Sequence, residues 1–369
     1  YEPDAFYDFC DREGILVWQD FMTASGIGPQ DDDMARRMAE EARSVVLRLR
    51  NHPSLALWCG NNENDAAPAW TYGERRIDPN RDRTSRRTIP DVLYEHDFAR
   101  AYLPSSPYVS PTSFAGLTRP SEDHLWSRTC YKGPGYLDNP ARFVSEMGYH
   151  GCPNRASLER MMPKDSVYPW LDGSWRWNAA WQAKAVNPFD DPTSELARTR
   201  NNYLLDKIRL ALGEVPRDLD GFISASQFVQ AEALKTWIER YRMEKFTKKT
   251  GLLWWNLRDG WPIISDAIVD YYGGRKRAYE AVKTAQATQL VALKPDGTAW
   301  AVNAARHPVA GRAVFSERAT GRAIAAFDYR CPANASAQIG VVALPSRGFV
   351  DIAYTAGAFV GANHHFVGP

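Results

Sequence analysis

The sequence predicts an α/β protein in which a parallel α/β domain, open or closed, precedes a small β-sandwich. The first observation is that short apolar runs alternate with amphipathic stretches up to about residue 285. The second is a change of composition near that residue, beyond which Ala, Val, Gly and Thr dominate. The third is the length of 369 residues, which suits two domains, or one large barrel with an appendage, because one domain takes roughly 100–200 residues.

Short runs of consecutive apolar residues predict strands that are covered on both faces, as in a parallel sheet. These runs lie at 15–18, 54–58, 142–145 and 251–255. Apolar residues that recur every three to four positions predict helices between the strands, at 34–49 and at 231–241. A further helix is expected to begin near Asp4, because Pro3 and Asp4 suit a first helical turn.

The segment that follows Thr288 is predicted to form the β-sandwich. Short strand-like stretches are separated there by turn signals such as Pro295-Asp-Gly297. The predicted domains are therefore 1–284 for the parallel α/β domain and 285–369 for the sandwich.

Charge and hydropathy argue against two classes of partner. The chain has 45 Lys and Arg against 44 Asp and Glu, so no basic surplus favours nucleic acid or an anionic membrane. No run approaches the roughly 18 apolar residues of a membrane span. The arginine-rich segment 75–87 is interleaved with acidic residues, which favours a solvated loop with local ion pairs over a polyanion site.

The cysteines predict neither a disulfide framework nor a zinc site. The chain has five of them, an odd number, widely scattered and without CxxC spacing: Cys10, Cys59, Cys130, Cys152 and Cys331. We expect them to be buried free thiols. The aromatic content is unusual, with 13 Trp, 17 Tyr and 15 Phe, and surplus Trp needs either a core or a flat ligand such as a sugar ring.

Two glutamates each follow a strand-like run. Glu63 comes after Leu55-Ala-Leu-Trp-Cys59, and Glu146 comes after Phe143-Val-Ser145. In α/β barrels the working residues lie at the carboxyl ends of strands, and paired carboxylates are the usual equipment for glycoside hydrolysis. A glutamate at a strand end is also a common structural ion-pair partner, so the spacing alone leaves both interpretations open.

Five segments, in order, resemble glycoside hydrolase family 2, particularly its β-mannosidase branch. The segments that carry the resemblance cover roughly residues 1–283. They are Gly14-Ile-Leu-Val-Trp-Gln-Asp-Phe-Met22, His52-Pro-Ser-Leu-Ala-Leu-Trp-Cys-Gly-Asn-Asn-Glu63, Asp123-His-Leu-Trp126, Arg142-Phe-Val-Ser-Glu-Met-Gly-Tyr149 and Gly251-Leu-Leu-Trp-Trp-Asn-Leu-Arg-Asp-Gly-Trp-Pro262. The resemblance implies a (β/α)8 barrel with Glu63 as general acid/base on strand four and Glu146 as nucleophile on strand seven.

The same resemblance implies a set of sugar-binding residues. Asn62 matches the family's asparagine that hydrogen-bonds the sugar 2-hydroxyl, and Trp255 matches the tryptophan that forms the floor of the −1 site. His124 and Trp126 stand where the family contacts substrate, and Trp70 is expected to stack on a sugar beyond the cleavage point. No cofactor and no metal are implied.

The implied function is an exo-acting, retaining β-glycosidase with a β-mannoside as the first substrate. The alternatives within the family are a β-galactoside, a β-glucuronide or the mannosyl linkage of an N-glycan core. His150 stands where β-mannosidases usually have Gln, so the sugar stays open. From a different class, the alternative is a catalytically silent carbohydrate-binding relative, which has no need to keep Glu63, Glu146 and Asn62 together.

The resemblance also predicts which barrel strands the chain contains. Strands three to eight are expected at 15–18, at 54–59, near 107–112, near 122–126, at 142–146 and at 251–257. Strands one and two, and the β-sandwich domains that precede the barrel in this family, are expected upstream of Tyr1. The start carries no signal peptide and no initiator Met, so a fragment or processed product is expected and the localisation is left open.

Overall fold

The computed structural model describes residues 1–67, 77–120, 122–126, 129–168, 177–185 and 195–368, with the backbone alone for 195–200. The fold is mixed α/β. The chain divides into two compact units. The first unit holds Tyr1–His124 and Phe143–Ser145, and the second holds Leu125–Arg142 and Glu146–Pro369. The domains predicted at 1–284 and 285–369 stay a prediction.

The first unit is built around a three-stranded parallel sheet of order β1-β2-β3. Its elements are α1 (Asp4–Glu13), β1 (Val17–Asp20), α2 (Asp32–Leu49), β2 (Leu55–Cys59), a short 3-10 helix (Pro79–Arg81), a short π-helix (Thr84–Thr88), α3 (Ile89–His96), β3 (Ala101–Leu103) and α4 (Pro111–Phe114). The pairing aligns Asp20 with Cys59, and Cys59 with Leu103, so the carboxyl ends of the three strands lie at one edge.

Helices α1, α2 and α3 cover this sheet with one apolar core. Tyr7 of α1, Val46 of α2, Trp58 of β2 and Ile89 of α3 are fully buried in it. The predicted helix at 34–49 is confirmed, and Asp31 caps it by accepting a hydrogen bond from Met34 N at 2.8 Å.

Two predicted strands differ from the structure in the first unit. The strand expected at 15–18 begins two residues later, and Ile15 and Leu16 are exposed. The strand expected at 107–112 is wrong, because the pairing strand is β3 and residues 111–114 form α4. Pro107 and Pro111 have no backbone N–H to offer a ladder. Strand β3 has only three residues, too few to show as an apolar run.

Two strands bear residues of both units, namely β4 (Glu122–Leu125) and β5 (Phe143–Met147). In the first unit Ser145 Oγ of β5 lies 3.4 Å from Asp123 O of β4. In the second unit β5 neighbours β6 (Gly251–Leu252). The strand predicted at 251–255 is therefore shorter than expected, and Trp255 instead forms an isolated bridge with Gly148.

The second unit contains helices and two antiparallel sheets. Its helices are α5 (Pro134–Leu137), α6 (Arg155–Met161), α7 (Ala179–Ala183), α8 (Glu195–Leu212), α9 (Leu219–Met243) and α10 (Arg277–Ala285). Helix α9 begins earlier than the helix predicted at 231–241. The prediction missed its amino-terminal half because polar residues are buried there. Gln227 Nε2 donates to Cys152 O at 3.0 Å, and Gln230 Nε2 donates to Asp266 O at 2.8 Å. Such buried glutamines interrupt the apolar periodicity.

Seven strands after residue 288 form small, sandwich-like sheets, as predicted. The strands are β7 (Gln289–Leu293), β8 (Thr298–Asn303), β9 (Val309–Glu317), β10 (Ala323–Cys331), β11 (Ala335–Val341), β12 (Gly348–Ala356) and β13 (Phe359–Val367). The sheet orders are β10-β9-β12-β13 and β11-β8-β7. Buried residues of both sheets, including Val291, Phe315 and Ile352, share one apolar core.

The cysteines were expected to be buried free thiols. All five cysteines are free, and four are buried, whereas Cys130 is only partly buried. In the described part of the chain, no helix has both the length and the apolar character that a membrane crossing requires.

Candidate active site

Glu63 lies in the first unit, in the loop that leaves the carboxyl end of β2. Its backbone adopts the left-handed conformation, with φ of 63°, which is costly for a residue with a side chain. Neighbouring backbone groups hold it there: Glu63 N donates to Ser106 O at 2.7 Å, and Ala67 N donates to Glu63 O at 2.8 Å. The carboxyl group is therefore positioned by a fixed loop and is largely buried.

Asn61 and Gly60 hold this loop against the segment that follows β3. Asn61 Oδ1 accepts hydrogen bonds from Ser105 Oγ at 2.6 Å and from Asn64 N at 3.1 Å. A Cβ at Gly60 would lie 2.3 Å from Pro104 O, so only glycine allows the two backbones to approach this closely.

His124 of β4 contacts the Glu63 carboxyl group. His124 Nδ1 lies 2.9 Å from Glu63 Oε1, and the other ring nitrogen, Nε2, lies 2.9 Å from Ser106 Oγ. The imidazole side chain is almost completely buried. A neutral imidazole donates with one nitrogen and accepts with the other, so the ring links the protonation of Glu63 to the Ser106 hydroxyl.

A second buried carboxylate, Glu122, lies behind His124. Glu122 Oε1 accepts from Ser106 Oγ at 2.8 Å and from Ser145 Oγ, and Oε2 accepts from Tyr108 N at 3.0 Å. Glu122 Oε1 is 4.0 Å from His124 Nε2. The sequence analysis assigned no role to Glu122, Ser106 or Ser145.

Asp65 forms a buried ion pair two residues after Glu63. Arg86 donates to both carboxylate oxygens of Asp65, at 2.8 and 2.5 Å, and Val109 N donates to Oδ2 at 2.9 Å. Burial raises the pKa of Asp65, and the Arg86 guanidinium opposes that shift. Arg86 therefore departs from the solvated loop that was predicted for 75–87.

Asp20 ends β1 in the same unit. It accepts a hydrogen bond from Trp18 Nε1 at 2.8 Å. Burial raises the pKa of Asp20, while Trp18, Cys59 and His124 act in the opposite direction.

Glu146 lies in the second unit, near the end of β5. Trp126 Nε1 donates to Glu146 Oε1 at 2.8 Å. A Cβ at Gly148 would lie 2.6 Å from Trp126 Cη2 and 2.8 Å from Trp255 O, so glycine is required for both tryptophans to pack at this point. Trp255 N also donates to Met147 O at 2.8 Å.

The other predicted sugar-binding residues are partly accessible. Trp255 is 48% exposed and Trp126 is 39% exposed, whereas Trp58, Trp181 and Trp237 are fully buried core residues. The Asn62 backbone bridges to Ala24 and Ser106, and within the described residues its side-chain amide has no hydrogen-bond partner. Trp70 lies outside the described residues.

His150, which bears on the choice of sugar, is buried in the second unit. Its Nδ1 lies 3.0 Å from Asp266 Oδ1. The nearby Lys276 Nζ donates to Gly151 O at 2.7 Å, and burial lowers the pKa of Lys276, against the attraction of Asp259 and Asp266. We interpret this network as the support of the chain around Gly151.

One further group in the first unit has the geometry of metal ligands. Ligand atoms of Asp8, Asp11 and His52 lie within 4.8 Å of one another. Asp11 Oδ2 already pairs with His52 Nδ1 at 2.6 Å, and Asp11 Oδ1 accepts from Ser54 N at 2.8 Å. We therefore interpret the cluster as a cap that stabilises the turn before β2.

The structure brings the predicted residues together within each unit. Asn62, Glu63 and His124 lie in the first unit, and Trp126, Glu146 and Trp255 lie in the second. A signal for Glu122 existed in the sequence, because residues 122, 124 and 126 share one face of an extended chain. An acidic residue in a short strand otherwise suggests exposure, which explains why Glu122 was missed.

Comparisons with known proteins agree with the resemblance. β-Mannosidase B of Aspergillus fumigatus is 29% identical over 326 residues, which cover 84% of this chain and 36% of that protein. β-Mannosidase B of Thermothelomyces thermophilus is 31% identical over 313 residues, covering 79% and 35% respectively. The chain thus spans about a third of the length of the curated relatives it matches.

A solved structure supports the same likeness. The crystal structure of the β-D-mannosidase from Dictyoglomus thermophilum matches with a TM-score of 0.82 and 29% identity, covering 100% of this chain and 45% of that one. No family model matches the chain. In sequence and in fold, the chain is therefore similar to β-mannosidases, as its motifs predict.

Proposed function

We propose that this β-mannosidase-like chain of glycoside hydrolase family 2 provides the catalytic residues of an exo-acting, retaining β-glycosidase. Glu63 is the general acid/base and Glu146 is the nucleophile. The sugar or the two carboxyl groups are bound and oriented by Asn62, His124, Trp126 and Trp255. Trp70 stacks on a sugar beyond the cleavage point.

The observation that carries the proposal is the different hydrogen-bonding partner of each glutamate. Trp126 Nε1 is a donor only, so it favours an ionised Glu146, which is the form that a nucleophile needs. His124 Nδ1 donates or accepts according to its tautomer, so it accommodates Glu63 with or without a proton. A general acid/base must pass through both of those forms during one turnover.

The reaction follows from these two states. Glu146 attacks the anomeric carbon while protonated Glu63 gives its proton to the leaving glycosidic oxygen, which forms a glycosyl-enzyme ester. Ionised Glu63 then takes a proton from water as the water oxygen displaces Glu146 from the anomeric carbon. Two inversions at that carbon leave a β-configured product, and both glutamates return to their starting forms.

The first substrate to test is a β-mannoside. The relatives that the chain resembles are named β-mannosidases, and that activity is carried over here only as a proposal. We further propose that β1 to β6 are strands three to eight of a (β/α)8 barrel, with 1–284 as the catalytic domain and 285–369 as the Ig-like sandwich. The parallel order β1-β2-β3 with helices between the strands supports this assignment.

The test is a panel of aryl β-glycosides hydrolysed by the full-length protein. We expect the highest kcat/KM on the β-mannoside, with the β-anomer as the first product in time-resolved NMR. Glu146→Gln, purified in the same way, controls for contaminating hydrolases. Preference for a β-galactoside or β-glucuronide would correct the sugar, an initial α-anomer would exclude retention, and binding without hydrolysis would identify a silent relative.

A further inference from the structure

Glu122 is a buried carboxylate in the first unit that no motif and no catalytic role accounts for. It is 9% exposed, and among the described residues no lysine or arginine pairs with it. Its stabilisation comes instead from neutral donors, namely two serine hydroxyls and Tyr108 N. A buried carboxylate without a cationic partner is costly, so a function for its charge is worth seeking.

The hydrogen-bonding capacity of Ser106 connects Glu122 to the imidazole. Ser106 Oγ carries one hydrogen and has three neighbours, Glu122 Oε1 at 2.8 Å, His124 Nε2 at 2.9 Å and Ser145 Oγ at 3.0 Å. An ionised carboxylate only accepts, so it favours the arrangement in which Ser106 donates to Glu122. The Ser106 oxygen then accepts a hydrogen from His124, which requires that Nε2 be protonated.

The tautomer of His124 decides which hydrogen lies beside Glu63. With the hydrogen on Nε2, a neutral ring presents a bare Nδ1 lone pair 2.9 Å from Glu63 Oε1. Two acceptors at that distance repel each other, so a neutral ring with its hydrogen on Nε2 requires that the Glu63 carboxyl group carry the proton between them, which is the proton that Glu63 has to give. The opposite tautomer would satisfy an ionised Glu63, which has no proton to donate.

We propose that Glu122 is a positioning residue that acts through Ser106 to hold His124 as the Nε2–H tautomer and so keeps Glu63 protonated for its acid step. The proposal rests on the general-acid role of Glu63 proposed above. The proton passes from Glu63 to the leaving oxygen and returns from water in the second step, while His124 keeps its Nε2 hydrogen throughout. Within the first unit Asp20 of β1 also acts electrostatically on His124, and Asp123 Oδ1 accepts from His124 N at 2.9 Å.

The tautomer can be observed without any activity assay, by long-range ¹H–¹⁵N correlation of the histidine rings in the ¹⁵N-labelled full-length protein. The His124 signals are assigned by their loss in His124→Gln. We expect Nε2 to be the protonated nitrogen in the parent protein, and Glu122→Gln and Ser106→Ala to shift the population towards Nδ1–H. Asp91→Asn, an exposed carboxylate on α3, is the matched control and should leave the spectrum unchanged.

A pH profile provides the second readout. In Glu122→Gln the basic limb of kcat/KM should move to lower pH by about one unit, for a substrate with a poor leaving group. A dinitrophenyl glycoside, which needs no acid, should keep nearly its parental rate. Glu122→Asp keeps a carboxylate, so its basic limb should return most of the way to the parental pH, which a merely structural role would not do.

The outcomes separate this proposal from the function on which it rests. An Nδ1–H ring or an imidazolium in the parent protein, or an unchanged ring in both Glu122→Gln and Ser106→Ala, would overturn the proposed positioning role of Glu122 even if hydrolysis is robust. If Glu122→Gln fails to fold, the Ser106→Ala spectrum decides alone. If the tautomer shifts as expected but no glycoside is hydrolysed, the positioning role of Glu122 is supported and the proposed catalytic function is contradicted.

Discussion

His124 Nδ1 lies 2.9 Å from Glu63 Oε1 within the first unit. Glu63 adopts φ of 63°, a conformation that costs a residue with a Cβ about 1 kcal/mol or more. The surrounding backbone hydrogen bonds stabilise this conformation, in which the carboxyl group faces the imidazole. An ordinary structural glutamate on a strand end would need neither the unusual backbone nor a titratable partner, so this pair favours a catalytic interpretation.

The first prediction separates the roles of the two glutamates. Glu146→Gln should lower kcat by about 10⁴-fold or more on every substrate, because no glycosyl-enzyme ester can form. Glu63→Ala should retain most of its glycosylation rate on dinitrophenyl substrates, since a good leaving group needs no acid. Added azide should accelerate only the Glu63→Ala enzyme by replacing the water that requires a base. Stopped-flow and steady-state assays measure both effects, and equal responses of the two variants would contradict the assignment.

The second prediction concerns the Asn62 amide, which has no partner within the described residues. If it binds the sugar 2-hydroxyl, Asn62→Ala should lower kcat/KM by about 10²-fold, because that contact strengthens in the transition state. A 2-deoxy substrate should show almost no further loss in the variant. Additive effects of the two changes in a double-mutant cycle would show that the amide binds elsewhere.

The strands that could be predicted from the sequence are those that consist of several consecutive apolar residues. Strand β2 at 55–59 was expected at 54–59, because the five consecutive apolar residues 55–59 precede the polar loop that holds Glu63. Strand β3 has only three residues and no such run, so its predicted position was displaced to 107–112. The length of a strand, not its burial, limited that prediction.

Buried polar residues were the second source of error. Glu122, Arg86 and Gln230 occupy positions where a charged or amide side chain suggests solvent. Each has hydrogen-bond partners far along the chain, such as Asp65 for Arg86 and the backbone of Asp266 for Gln230. A local pattern contains no information about partners that only the folded chain brings close, so this part of the site required the structure.

The third prediction tests the packing of the tryptophans around Gly148. Gly148→Ala would place a methyl group 2.6 Å from Trp126 Cη2 and 2.8 Å from Trp255 O, so the ring or the backbone must move. We expect kcat/KM to fall at least about tenfold, with a shifted tryptophan emission spectrum. Gly26→Ala is the matched control, because nothing lies within 4 Å of its Cβ position. Parental kinetics in Gly148→Ala would show that this packing does not position Glu146.

The fourth prediction compares two adjacent arginines. Arg86 pairs with buried Asp65 and its side chain is 15% exposed, whereas the side chain of Arg87 is 78% exposed. Arg86→Ala leaves an uncompensated buried carboxylate and should lower the free energy of unfolding of the first unit by about 3 kcal/mol. Arg87→Ala should change it by less than about 0.5 kcal/mol. Denaturant titrations measure both, and equal losses would mean that the ion pair contributes nothing specific.

The fifth prediction concerns His365 of β13 and the acid sensitivity of the second unit. Burial, with Lys235 and Lys132 acting in the same direction and Glu232 opposing, lowers the pKa of His365 to about 3. Both lysines donate to backbone carbonyls beside it, Lys235 to His364 O and Lys132 to Phe366 O, each at 2.6 Å. A proton on the folded imidazole therefore meets two nearby cations.

The sign of the pH dependence follows from comparing the folded and unfolded states. An unfolded histidine binds its proton near pH 6.5, whereas folded His365 stays neutral down to about pH 3. The stabilisation is complete above pH 6.5 and is lost as the pH falls, by up to about 1.4 kcal/mol per unit. Between pH 7.5 and pH 5, His365→Gln should lose about 2 kcal/mol less unfolding free energy than the parent protein. Urea titrations at both pH values measure this difference, and His307→Gln, at an exposed position, should behave as the parent does. Parallel pH dependences of the parent and His365→Gln would show that the imidazole already carries its proton in the folded state.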